Sequence, residues 1–301
     1  MRLAVLFLLL ACFSAAAPAP APQEAPPASP PPSAPPAASA PSTGTTAPAT
    51  ASAQPKITYS QCHVDGSYVA LTFDDGPHKE NTPRLLDILK KRGVKATFFV
   101  VGQCAAEYPS IIQRINAEGH ELANHSWSHP QLSKMAEGSV SDQLERTHQA
   151  VIQSAGVTPK LMRPPFGAFT PNQQAWANRK WGYKVVLWDV DPLDWKIRNA
   201  AHVESEILRQ TVPGSIILSH DIHKSTVDAM PATIDALLAK GFKFVTVSEL
   251  LAMDKPLPPK PKPTPPSTGT PTRAEPASTG GALALPVPVK PTERRRGSTP
   301  R

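Results

Sequence analysis

What most limits the fold of this chain is an alternation. Between residues 68 and 251, seven short β-rich runs are separated by longer stretches of helical periodicity. The runs are 68–73, 95–101, 120–123, 160–163, 185–189, 215–219 and 243–246. Helical patterns occupy 82–92, 108–118, 139–155, 171–181, 200–210 and 226–240, and a last short helix starts at Thr246. In the first of them Leu85, Leu86, Ile88 and Leu89 mark one apolar face, and Gly93 follows where the helix should stop. Gly119, Gly156, Gly182 and Gly241 punctuate four later patterns in the same way. Repeated strand–helix units predict an α/β fold with a parallel sheet. Seven or eight units suffice to close such a sheet into a barrel.

The two ends do not share this pattern. Residues 17–55 hold 13 of the 37 prolines, among Ala, Ser and Thr, and 255–301 hold another 13. Aromatic-free, Pro-rich tracts bury no core, so a disordered linker at 17–55 and a disordered tail at 255–301 are expected to flank one domain, 56–254. The net charge of +7 belongs to that tail, where nine Lys/Arg face two Glu. The domain is therefore neutral, no basic stripe lies on a folded face, and nucleic acid is not an expected partner. A basic tail suits an acidic envelope polymer or a membrane surface, or simply water. Residues 1–16 read as an export signal: Arg2, a short apolar run from Leu3 to Cys12, then small residues. Leu9-Leu10-Ala11-Cys12 also resembles a lipoprotein processing site, which would make Cys12 a lipid anchor. Cys62 and Cys104 then remain as a pair in an oxidising compartment, where a disulfide is reasonable.

The polar motifs fall at the C-terminal ends of the β runs. The run 68–73 ends in Asp74-Asp75-Gly76-Pro77. Adjacent buried acids need a positive partner. His125-Ser126-Trp127-Ser128-His129 offers two imidazoles four residues apart. Asp75, His125 and His129 make three ligands for a divalent metal with a position left open, as catalytic zinc sites are built. Asp74 is then free to act as a general base. Each residue alone has a plainer role: an acid can cap a turn, and two histidines can share a surface loop.

Further along the rim, Arg163-Pro164-Pro165-Phe166-Gly167 is a stiff loop. It could aim the Phe166 N–H at an oxyanion, with Arg163 forked onto a catalytic carboxylate. His220 could protonate a leaving nitrogen if a carboxylate such as Asp191 held its pKa up. His223 reads as a neighbour. Trp195, beside acids, suggests a carbohydrate floor, whereas Trp127, Trp176, Trp181 and Trp188 read as packing.

Taken together and in order, Thr72-Phe73-Asp74-Asp75-Gly76-Pro77, His125-Ser126-Trp127-Ser128-His129-Pro130, Arg163-Pro164-Pro165-Phe166-Gly167, Asp191-Pro192-Leu193-Asp194-Trp195 and Leu218-Ser219-His220 resemble the polysaccharide deacetylase family, carbohydrate esterase family four. The resemblance covers about 56–254. It implies a distorted (β/α) barrel of about seven parallel strands. It implies a divalent metal on Asp75, His125 and His129, zinc first, with cobalt, nickel or manganese as alternatives. Asp74 would be the base and His220 the acid. Arg163 and Asp191 would tune that pair, the Phe166 N–H would hold the oxyanion, and Leu218 and Trp195 would line the acetyl pocket. Phe166 stands where many members have Tyr. The expected function is removal of acetyl from N-acetylglucosamine in a cell-wall glycan, peptidoglycan first. Chitin or its oligomers and acetylated xylan are the alternatives. A non-catalytic glycan-binding module and an amidase for a small non-sugar amide are readings from other classes. The expected setting is a monomer, secreted or held in a bacterial envelope, periplasmic or lipid-anchored.

Overall fold

The computed structural model describes residues 55–255. The export signal at 1–16 with Cys12, the linker at 17–55 except Pro55, and the tail beyond Lys255 lie outside the described residues. Among the described residues, no helix is long and apolar enough to cross a membrane.

The central strand is β2 (Tyr68–Asp74), buried along all but its first residue. Val69, Ala70, Leu71 and Phe73 have at most 1% of their surface exposed, as expected of a parallel strand covered on both faces. The remaining strands are β1 (Thr58–Tyr59), β3 (Thr97–Val100), β4 (Glu121–Asn124), β5 (Leu161–Met162), β6 (Lys184–Val186), β7 (Ile216–Ile217) and β8 (Lys243–Phe244). Their order is β1-β6-β5-β4-β3-β2-β7, every strand pairing is parallel, and β8 joins β2 through Tyr68 and Val69. The ladder does not close. Single bridges, Ile217 to Val190 and Ser215 to Gln61, span the gap between β7 and the segments after β6 and β1. The fold is thus α/β with a parallel, incompletely closed barrel-like sheet. The strands are short because the chain leaves the ladder early to build rim loops.

Helices α1 (Asn81–Arg92), α2 (Gly102–Glu107), α3 (Pro109–Ala117), α4 (Glu137–Ala155), α5 (Pro171–Trp181), α6 (Ala200–Gln210), α7 (Lys224–Ala239) and α8 (Val247–Ala252) accompany the sheet. Gly93 and Gly156 end α1 and α4 in the left-handed conformation that only glycine adopts freely. Capping boxes at Thr170–Gln173 and Thr246–Glu249 start α5 and α8. Leu85, Leu86 and Leu89 of α1 and Ile112 and Ile115 of α3 are fully buried. They pack in one cluster with Phe73 and Phe98, whose rings stack at 5.4 Å. Helix α2 and strand β1 were not visible in the periodicity: one has six residues, the other two. Cys62 and Cys104 are both free, so the disulfide that the compartment would permit is not formed.

Candidate active site

Asp74 is the last residue of β2, Asn124 the last of β4, and His220 follows β7. Asp74 and His220 are bridge partners, and the Asp74 N–H donates to the Ser219 carbonyl at 2.9 Å. The sheet therefore sets Asp74 and His220 at neighbouring strand ends. Five non-glycine residues have a left-handed backbone among the described residues: Asp75, Ser126, His129, Phe166 and Leu193. All lie in the rim motifs. Each such conformation costs about 1–3 kcal/mol and persists only where the surroundings impose it. Here it turns Asp75 and His129 out of the strand and loop directions and toward one another.

The adjacent acids part company at this point. Asp75 Oδ1 is 3.4 Å from His125 Nε2 and 3.4 Å from His129 Nε2. It is buried without a hydrogen-bond partner, a costly state for a carboxylate oxygen. One ligand atom from each of the three residues falls within 4.8 Å of the others. His125 Nδ1 donates to the Arg163 carbonyl at 2.7 Å, which fixes the tautomer and leaves Nε2 as a lone pair toward Asp75. Burial foremost lowers the pKa of His129, which favours the neutral ring that a metal ligand requires. Burial works against the Asp75 carboxylate, but the contact with His125 and the charge of His220 help to offset it, and its pKa is held below the ordinary range. An orphaned carboxylate oxygen facing two imidazole lone pairs is a donor set that fits a divalent cation.

Asp74 faces elsewhere. Its Oδ1 accepts from Arg163 Nη1 at 2.6 Å, while Oδ2 stands 3.7 Å from His125 Nε2. Arg163 is fully buried. Its Nη1 also donates to Thr72 Oγ1 at 2.8 Å, its Nε to the Val186 carbonyl at 3.1 Å and its Nη2 to the Leu187 carbonyl at 3.0 Å. The guanidinium lies 4.1 Å from the Phe99 ring centre. One arginine thus aims Asp74 with its side chain and His125 with its carbonyl.

The carboxylate on His220 is Asp194, not the Asp191 expected from sequence. Asp194 Oδ1 meets His220 Nδ1 at 2.8 Å, and Oδ2 accepts from the His220 N–H at 2.8 Å and from Thr226 Oγ1 at 2.7 Å. Burial depresses the imidazolium, yet the bond to Asp194 and its charge prevail, and the pKa is pushed up to about 9. Asp191 shapes the loop instead, its Oδ1 accepting from the Leu193 N–H at 2.8 Å while the residue also lines the cavity. Nothing in the spacing distinguishes the two acids: both follow the same strand, three residues apart.

Asp74, Asp75, His125, His129, Asp191 and His220 line a cavity of about 600 Å³. Leu218 and Trp195 stand in its wall, as does Trp188, expected from sequence to be packing only. Trp195 is 48% exposed and Phe166 68%, with the Phe166 ring edge-on to His129 at 4.7 Å. Arg198 and His223 complete one flank. Beneath the site, Asp221 is wholly buried, its Oδ2 accepting from Thr82 Oγ1 and its Oδ1 without a partner. Burial first, and the Asp75 charge with it, push its pKa up to about 7. A Cβ on Gly76 would lie 2.4 Å from Asp221 Oδ1, which is why the turn after the acid pair takes glycine.

Comparison with known proteins agrees with this architecture. A model of the polysaccharide deacetylase family matches residues 63–186. The chain is 43% identical over 182 residues to the peptidoglycan-N-acetylglucosamine deacetylase PgdA of Listeria monocytogenes, covering 60% of this chain and 38% of that protein. A peptidoglycan-N-acetylglucosamine deacetylase of Bacillus cereus is 41% identical over 191 residues, 62% of this chain and 69% of that one. The crystal structure of the Bc1960 peptidoglycan N-acetylglucosamine deacetylase superposes with a TM-score of 0.63 at 39% identity, covering 65% of this chain and 92% of that chain. The match thus spans about two fifths of the Listeria relative and most of the solved domain. On this likeness of sequence and fold, the chain belongs to the polysaccharide deacetylase family.

Proposed function

We propose that this chain is a metal-dependent hydrolase that removes the acetyl group from N-acetylglucosamine residues of a cell-wall glycan, with peptidoglycan as substrate and zinc as the metal. The observation that carries the reading is the division of labour within the acid pair. Asp75 faces two imidazole nitrogens with an oxygen that has no other partner, while Asp74 is turned onto Arg163. A merely glycan-binding surface has no use for that separation, nor for an imidazolium set beside it.

Asp75, His125 and His129 would hold the ion, which when bound supplies a Lewis acid able to polarise an amide carbonyl and to bring the pKa of water toward neutrality. Asp74 Oδ2, the oxygen not taken by Arg163, receives the proton of the attacking water. The Phe166 N–H, in the tight turn Pro165–Gly167, is the donor assigned to the developing oxyanion. His220 has Nδ1 occupied by Asp194, so Nε2 delivers its proton to the departing nitrogen. The amide C–N bond breaks, leaving acetate and a free amino sugar. Leu218 and the tryptophans give the acetyl methyl an apolar wall.

Peptidoglycan is placed before chitin because all three similar proteins above carry that substrate in their names. Export to the envelope, by the 1–16 segment and with lipid at Cys12 or a cleaved signal, fits that substrate. Acetate release from purified wall fragments and from chitin oligomers, before and after chelation, tests the proposal. The expected result is release from wall fragments that stops on chelation and falls by roughly 10²–10⁴-fold in Asp74→Asn. Unchanged release after chelation, or a fully active Asp74→Asn protein, would overturn it.

A further inference from the structure

One flank of the cleft carries a cation that the reaction does not use. Arg198 lines the same cavity as Asp74 and His220 and is exposed. Its Nη1 donates to the carbonyl of Asp194, four residues back. That bond pins one edge of the guanidinium and leaves its other N–H groups free for a ligand. Arg198 makes no ion pair among the described residues, and its head group has no other side-chain hydrogen bond there. Beside it in the wall stands His223, its ring 5.9 Å from that of His220. Burial, and next the Arg198 charge, lower the His223 pKa, and its ring has an N–H to offer a ligand.

The rest of the cleft mouth differs in character. Phe166 and Trp195 offer exposed aromatic faces, which suit the apolar face of any sugar ring whatever its substituents. A neutral polymer of acetylated amino sugars carries nothing for a guanidinium. A glycan with a carboxylate beside the acetamide does, and the planar fork of arginine matches that group.

We propose that Arg198 is a specificity-determining residue that, with His223, binds a carboxylate borne by the sugar next to the acetamide being hydrolysed. This rests on the deacetylase reading of the cleft and narrows its substrate to anionic glycan. The carboxylate has two sources in a bacterial wall, the lactyl group of a peptide-free muramyl residue and an acid of the stem peptide.

Three oligomers of equal length separate the outcomes: a neutral chitin oligomer, a peptide-free muramyl oligomer, and the same oligomer with its stem peptide. Affinity is measured by calorimetry on the full chain stripped of metal, so that binding is read apart from hydrolysis. One carboxylated oligomer is expected to bind about 10–100-fold more tightly than the neutral one at low salt, the range of a hydrogen bond to a charged group. Whichever of the two it is names the source. The preference should fade as salt rises, collapse in Arg198→Gln, and survive in part in Arg198→Lys. Equal affinity for all three oligomers, or a preference unchanged in Arg198→Gln, would overturn the assignment. Acetate release from the same oligomers by the metal-loaded protein reports on the deacetylase reading separately. A carboxylate preference without acetate release would sink that reading alone, and release without preference would sink the Arg198 proposal alone.

Discussion

Replacing Asp194 by Asn tests the acid half of the site. The change keeps the shape of the side chain and its bond to Thr226, but removes the charge that faces His220 Nδ1 at 2.8 Å. His220 stands at about 9 against an ordinary 6.5, and its side chain is only 12% exposed, so the difference is not lost to solvent. It corresponds to roughly 3 kcal/mol in favour of the imidazolium. Without the carboxylate, burial is the largest remaining influence and pulls the pKa back toward the ordinary 6.5. The acid form is the working form, so activity is lost as pH rises through the folded-state pKa. Wild type should therefore hold its rate to a higher pH than Asp194→Asn does. At pH 7.5 a pKa near 6.5 leaves roughly a tenth of the rings protonated, hence about a tenfold loss from this cause alone. A dication on Asp75, His125 and His129 lowers the value in both proteins, and the difference between them survives. Stability should follow the same sign: the pair's contribution is complete below about 6.5 and is lost as pH rises through about 9. The assay is acetate release from pH 5 to 10 for both proteins, metal-loaded. Coincident alkaline limbs would refute the reasoning.

Other consequences are as direct. Arg163→Met leaves Asp74 buried without its cation and should cost about 3–5 kcal/mol in denaturant unfolding, more than any exposed arginine replaced in the same way. Asp221 is raised to about 7 in the fold, so wild-type stability should fall by roughly 1.4 kcal/mol per pH unit between about 4 and 7; Asp221→Asn should abolish that slope. Gly76→Ala places a methyl 2.4 Å from Asp221 Oδ1 and should unfold at lower denaturant, with Asp221→Ala in the same chain restoring part of the loss.

Much of this was legible in the chain. Every β run became a parallel strand, because a β-rich run bounded by turn residues and followed by an amphipathic pattern has few other ways to bury its apolar side chains. The rim position of the acids and histidines followed from strand direction alone. What stayed hidden was set by the third dimension. Asp191 and Asp194 are equivalent in sequence, and the left-handed Leu193 between them decides which one reaches His220. Trp188 reads as packing, lying inside the β run 185–189, yet the strand ends at Val186 and the chain carries Trp188 to the cleft wall. Barrel closure could not be judged from a count of units, since β5 and β7 have two residues each and the gap beside β7 is bridged at single positions. The left-handed backbone at Asp75 and His129, which aims both at one point, has no signature in residue type.

The claim on which the rest depends is that Asp75, His125 and His129 share one cation while Asp74 stays off it. Calorimetric titration of zinc into the metal-stripped full chain tests this most directly. One equivalent should bind to wild type and to Asp74→Asn, and binding should be lost in Asp75→Ala and in His129→Ala. Undiminished zinc binding by Asp75→Ala, or its loss in Asp74→Asn, would contradict the account.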